Sequence, residues 1–330
     1  MQYRWFETAT RYVVAMICAG VMIANGVVWA QGATMRENPS SPQAAPLSRS
    51  ATVEETYLGL SMGPLRQAIL TTLPKGLVLR AGKVEINQKQ LASEIAKAPA
   101  ELREKMKTNG FFVLENMVIK PFLLAEAHAW AAKTGQKTTK ENADSLIKAY
   151  LQSLVGQVRV SDMEVRAFYD ANPDAVSGAA YEAVAKDLHA YLLEQKQQDT
   201  ITAHIQTLSA RTSMEVDTTW VKRQAASMLN NPVDKARRSG KPSLIDFGRE
   251  GCRPCEMMTP ILEELHKTYT AQCNVLFSHV GNEPILAARY NIQSIPVQIF
   301  FDKDGHEVYR HIGFFPKEGI LAKLTELGVK

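Results

Sequence analysis

Cys252 and Cys255 are separated by Arg253 and Pro254 in a chain of 330 residues with four cysteines. Two thiols at that spacing can close into a disulfide and reopen, which is two-electron chemistry that needs no cofactor. Met257, Ile261, Leu262 and Leu265 follow at helical spacing, so a helix is predicted to open at Cys252 and run to about Tyr269. At a helix start the first sulfur lies beside unpaired backbone N–H groups and the positive end of the helix dipole. Thiolate is favoured there, which makes Cys252 the expected nucleophile. Cys255, one turn further in, is placed to resolve a mixed disulfide. Arg253 adds positive charge close to the sulfurs, and Pro254 restricts the loop and suits an early helical position.

The elements that must hold this pair lie on both sides of it. Residues 243–247 form a short apolar strand and residues 274–277 a second. Residues 284–290 are a short helix, and residues 296–301 a strand ending at the turn 302–305. Residues 308–312 pair back as a hairpin, residues 317–327 close with a helix, and residues 232–238 are a helix candidate ahead of the first strand. This is a β-α-β unit followed by a hairpin and a helix. With Asp246-Phe247, the cysteine motif, Pro260, Ile295-Pro296 and Gly313 in their places, residues 223–330 resemble the thioredoxin family.

The resemblance implies an α/β thioredoxin fold and a thiol–disulfide oxidoreductase with Cys252–Cys255 as its redox disulfide. It makes Asp246 the proton acceptor for Cys255 and places Pro296 in cis. Its loop then faces the sulfurs, and the backbone of Ile295 pairs with a substrate strand. Arg253 and Pro254 complete the expected substrate-contacting surface. Gly251 and Gly248 stand where thioredoxins usually carry Trp, and Arg253 stands where Gly is usual. These departures leave the chemistry intact and bear on reduction potential and substrate choice. Ile before Pro296 resembles the reducing thioredoxins, which favours the reductase direction.

Ahead of this part, Arg4 and Arg11 precede an uncharged run from Tyr12 to Ala30, and Val28-Trp29-Ala30 supplies the small residue of a cleavage site. Residues 1–30 are read as a signal peptide, with a retained membrane anchor as the alternative. The chain is then expected in a bacterial periplasm or cell envelope. Residues 31–53, rich in Pro and Ser, are read as a flexible linker. Residues 54–222 read as mainly α-helical: a hairpin over 78–86, Asn87 as the cap of the next helix, and a long helix after Gly110 that Pro121 should kink. Further helices follow at 139–155, from a capping box at Ser161 and Glu164, and from Tyr181 to Leu208, before a short closing strand at 214–216.

This order resembles the N-terminal chaperone module of the SurA-like and parvulin-type prolyl isomerase family. The matching pieces are the hairpin, residues 114–119, the helix end at Glu126-Ala127 to Gly135, and residues 160–165 with Phe168-Tyr169-Asp170. The residues between the short and long helices are too few for an isomerase domain. The resemblance therefore implies a peptide-binding, chaperone-like module without that activity. A generic helical spacer is the plainer alternative.

A net charge of +4 from 38 basic and 34 acidic side chains is too even to argue for nucleic acid. Removal of the signal leaves Cys252, Cys255 and Cys273, too few for a disulfide framework. Zinc would need two ligands beside the CxxC, and His266, Cys273 and His279 lack a second ligand pair at the right spacing. Cys273 is expected as a small buried side chain, and His128, His189 and His204 as structural or surface residues. The expected partners are polypeptides with thiols or disulfides and a membrane or periplasmic thiol donor. The other reading is a non-enzymatic chaperone or assembly factor that uses the thioredoxin fold as a platform.

Overall fold

The structure, a computed structural model, describes residues 51–136, 143–171 and 179–330. The expected signal peptide or anchor and most of the expected linker lie outside the described residues. So do the start of the helix expected from residue 139 and most of the short connection after Ala171. No helix among the described residues is long and apolar enough to cross a membrane.

The last three linker residues do not behave as a tether. Thr52 caps a short helix, α1 (Val53–Thr56), and bridges to Ile69, while Val53 is fully buried. A four-stranded sheet then forms from β1 (Ile69–Thr71), β2 (Leu77–Ala81), β3 (Val84–Asn87) and β4 (Met214–Asp217), in the order β1-β4-β2-β3. The hairpin and closing strand were expected, but their union with β1 was not. β1 pairs in parallel with β4, Ile69 opposite Glu215, a partner so distant in sequence that no local pattern signals it.

Between the hairpin and β4 run α2 (Gln88–Ala96), α3 (Ala100–Thr108), α4 (Gly110–Thr134), α5 (Ala143–Val155), α6 (Asp162–Ala171) and α7 (Tyr181–Ala210). Asn87 caps α2 by accepting the Gln90 N–H at 2.9 Å, and the Gln90 side chain accepts the Asn87 N–H at 2.8 Å. The Ser161–Glu164 capping box opens α6 as expected. α4 runs unbroken through Pro121. Ile119, Leu123, Ile147, Leu151, Ile205 and Leu208 from α4, α5 and α7 share one apolar cluster.

The expected change of pattern between 222 and 223 falls inside a helix, α8 (Thr218–Met228). Trp220, Val221, Ala225 and Met228 of α8 join the first apolar cluster, with the sheet and α2 to α4. By packing, α8 thus belongs with the residues before it.

The second sheet contains β5 (Ser243–Gly248), β6 (Asn274–His279), β7 (Val297–Phe301) and β8 (Glu307–Ile312), in the order β6-β5-β7-β8. β5 runs parallel to β6 and antiparallel to β7, and every residue of β5 and β7 is buried. Alternation sends Ile245, Phe247, Val297 and Ile299 to one face, against α9 (Pro232–Arg237) and α11 (Pro284–Arg289). Leu244, Val275 and Phe300 go to the other, against α10 (Arg253–Tyr269) and α12 (Lys317–Glu326). Each large side chain buried there contributes about 1.5–3 kcal/mol relative to exposure. Two helices on each face of a sheet whose inner strands are wholly buried fix the end of β5, just ahead of the cysteines.

Candidate active site

Cys252 is the N-cap of α10, with an extended backbone, and Cys255 lies in the first turn. Their sulfurs are joined in a disulfide, with Cα atoms 5.2 Å apart. The Cys255 N–H reaches Cys252 Sγ at 3.4 Å, so the first sulfur takes one of the orphan amides of the helix start. Arg253 and Pro254 are exposed beside it and occupy the first two helical positions. Cys252 is half-buried, whereas Cys255 is only 3% exposed. Incoming disulfides therefore reach the first sulfur and not the second.

The Ile295–Pro296 bond is cis, and the Ile295 carbonyl oxygen lies 3.9 Å from Cys252 Sγ. The loop before β7 thus faces the sulfur, as the thioredoxin resemblance implies. Pro296 also accepts the Gly313 N–H at 2.8 Å, which ties the loop to the end of β8.

The two glycines at the Trp positions differ in role. Gly251 has φ +73°, a left-handed conformation that favours glycine, and nothing crowds its missing side chain. Gly248 is needed for space. A Cβ there would lie 2.9 Å from the Phe277 ring and 3.3 Å from both Cβ and Sγ of Cys255. Phe277, half exposed on the edge strand β6, closes over the spot from the side.

Asp246 lies two residues before Gly248 and so shares its face of β5, the face that meets Cys255. It is fully buried, and burial pushes its carboxyl up to about 7, against a smaller opposing effect of the Gln298 hydrogen bond. Gln298 Nε2 donates to Asp246 Oδ1 at 2.6 Å, and Oδ2 has no hydrogen-bond partner. Sequence reading passed over Gln298, although a glutamine within Val297–Phe301 is the lone polar residue of an apolar run.

The remaining candidates fall outside the site. Cys273 is buried in the α10–α12 cluster, and burial pushes its thiol up to about 11. His266 bonds the Val275 carbonyl at 3.0 Å, and His279 pairs with Glu250. His204 meets the Tyr150 hydroxyl at 2.9 Å, and His189 meets the Val160 carbonyl at 3.2 Å.

An accessible sulfur at a helix start, a shielded partner sulfur and a buried carboxyl behind them define a thiol–disulfide exchange protein. Residues 221–326 match the family model for thioredoxin. The thioredoxin of Staphylococcus saprophyticus is 43% identical over 84 residues, which span 26% of this chain and 79% of that protein. That of Staphylococcus aureus is 43% identical over 83 residues, 25% of this chain and 79% of that protein. The chain belongs to the thioredoxin family, and its chemistry is that of a thiol–disulfide oxidoreductase.

Proposed function

We propose that this protein reduces disulfides in exported polypeptides, and that its N-terminal part holds the client. The carrying observation is the unequal exposure of the two sulfurs, with Cys252 open beside the Ile295–Pro296 loop and Cys255 buried beneath it. In the dithiol state the Cys252 thiolate attacks a substrate disulfide. One substrate sulfur becomes bonded to Cys252, and the other leaves as a thiolate that takes up a proton. Cys255 then loses its proton to Asp246 and attacks Cys252 Sγ. The Cys252–Cys255 bond forms, the mixed disulfide breaks, and the second substrate sulfur leaves and is protonated. The substrate gains two electrons and two protons, and the protein is left as its disulfide.

Continuous turnover in an oxidising compartment requires a thiol donor to restore the dithiol, and a membrane or periplasmic redox partner fits that need. The export segment at residues 1–30 supports the location. Insulin reduction tests the activity: Cys252→Ser abolishes it, while Cys255→Ser accumulates mixed disulfides. Turnover undiminished in the Cys252 variant would sink this reading. Fractionation of cells that express the full chain tests export.

For the client-holding part, the support is its resemblance to the SurA-like module together with the surface of α7. Only Thr202, Ile205 and Leu208 of that 30-residue helix are buried. The full chain should suppress aggregation of a reduced client, and deletion of residues 54–228, which takes out α8 whole, should remove that effect. If suppression stays with the thioredoxin part alone, the helices have another role.

A further inference from the structure

Gln298 is the polar group in the site that the exchange chemistry leaves without a task. It is fully buried in the middle of β7, where an apolar side chain would fill the space without a desolvation cost. The antiparallel register sets it directly across from Asp246, and its amide donates to Oδ1 at 2.6 Å. On the other side of Asp246 the registered residue is Phe277, which offers no donor. Asp246 Oδ2 and Gln298 Oε1 are both buried without a hydrogen-bond partner. The free carboxylate oxygen thus sits on the strand face from which Gly248 looks onto Cys255 Sγ.

We propose that Gln298 is a positioning residue for the resolving step, holding Asp246 Oδ1 so that Oδ2 is free to take the Cys255 proton. The proposal rests on the exchange reading above. An amide suits a carboxyl group that changes protonation state. It donates to the carboxylate and, turned over, accepts from the carboxylic acid. A cation in its place would hold the carboxylate ionised, and a hydrocarbon would leave Oδ1 unpaired. When Cys255 passes its proton to Oδ2, its sulfur attacks Cys252 Sγ and the substrate sulfur departs. The proton held on Asp246 then leaves to the released thiolate or to water.

The full chain in its dithiol form is mixed by stopped flow with an aromatic disulfide, dithiobis(nitrobenzoate). Attack by Cys252 releases one nitrothiolate in a second-order phase. Resolution by Cys255 releases the other in a first-order phase, to which thiols acting between molecules do not contribute. Gln298→Leu should slow the first-order phase about tenfold near neutral pH and move the midpoint of its pH profile up by about one unit, as expected for loss of a hydrogen bond to a charged acceptor. Gln298→Met, which keeps the side-chain length, should do the same. In an Asp246→Asn background, adding Gln298→Leu should change the phase no further. A wild-type midpoint in both Gln298 variants overturns the proposal, as does an equal slowing in the Asp246→Asn background. Absence of both phases in the unsubstituted chain overturns the exchange reading and the proposal with it.

Discussion

The Arg289 guanidinium donates to the Gly59 carbonyl oxygen at 2.6 Å. Gly59 lies between α1 and β1, and Arg289 ends α11, so one buried side chain ties the segment before the first sheet to a helix of the thioredoxin part. Its other terminal nitrogen donates to Asp234 at 2.9 Å, and the Tyr290 hydroxyl donates to the same carboxylate at 2.7 Å. Around this contact Met62 packs in the thioredoxin cluster, while Ile285 of α11 packs in the first cluster. Ser61 donates to the buried Glu115 from the same segment. The thioredoxin part is therefore seated on its neighbour through a polar network and not only through a tether.

Arg289→Leu leaves the Asp234 carboxylate buried with its charge partner gone. Breaking one side of such a pair costs about 3–5 kcal/mol. Chemical denaturation of the full chain should report that loss. Gly59→Ala keeps the carbonyl oxygen that Arg289 reaches and instead tests the turn that presents it, packed against Arg237. Its φ is +78°, and a Cβ there would lie 2.6 Å from Arg237 Nη1. A cost of about 1–2 kcal/mol is expected from the left-handed backbone alone. A loss below experimental error in Arg289→Leu would show that the Arg289 contacts contribute nothing to stability, and the same result in Gly59→Ala would show that the turn tolerates a Cβ.

Gly248→Ala probes the packing over Cys255. The obstructing atom of Phe277 is the far end of a half-exposed ring, which can swing away, whereas Cys255 Sγ is held by the disulfide. The added methyl should therefore displace Phe277 first. We expect a loss of about 1 kcal/mol, typical of mild overpacking. Adding Phe277→Ala should return part of it. If the two losses simply add, removing the ring relieves nothing and the clash is with Cys255 instead.

The thioredoxin part was legible because its signals are local. A CxxC at a helix start, an apolar strand before it and Ile295-Pro296 ahead of another strand each occupy a few adjacent residues. What escaped is what distant residues make together. β1 becomes a strand only by pairing with β4. α8 begins with Thr218 and Thr219, β-branched residues with low helix propensity, and forms under the Asp217 cap and against the first core. The signal for Gln298 was present, a polar residue where the pattern demands an apolar one. Its meaning required the register that puts it opposite Asp246.

Cys273 should be inert in the folded chain. Its thiol is 1% exposed, and burial pushes it up to about 11, so thiolate is scarce at neutral pH. After reduction, a brief pulse of iodoacetamide at pH 8 should label Cys252 and spare Cys273 until denaturant is added, as read by peptide mass spectrometry. Labelling of Cys273 at the rate of Cys252 would contradict the packing.

Asp246 should also shape the pH dependence of stability. Its folded carboxyl titrates near 7, pushed up by burial, above the ordinary value of 3.8. The folded state therefore binds the proton more tightly than the unfolded chain. Between those two values the folded protein holds more protons, so stability falls as pH rises and levels off above about 7. Glu115, pushed up to about 7 chiefly by burial, acts in the same direction, so the wild-type slope has two contributors. Asp246→Asn removes one of them. Above pH 7 the variant should be more stable than wild type by about 2–4 kcal/mol, with the difference vanishing toward pH 4. Urea denaturation at several pH values, with the disulfide intact, measures both slopes. A variant that follows the wild-type curve at every pH would show that the Asp246 carboxyl is not held uncharged by burial.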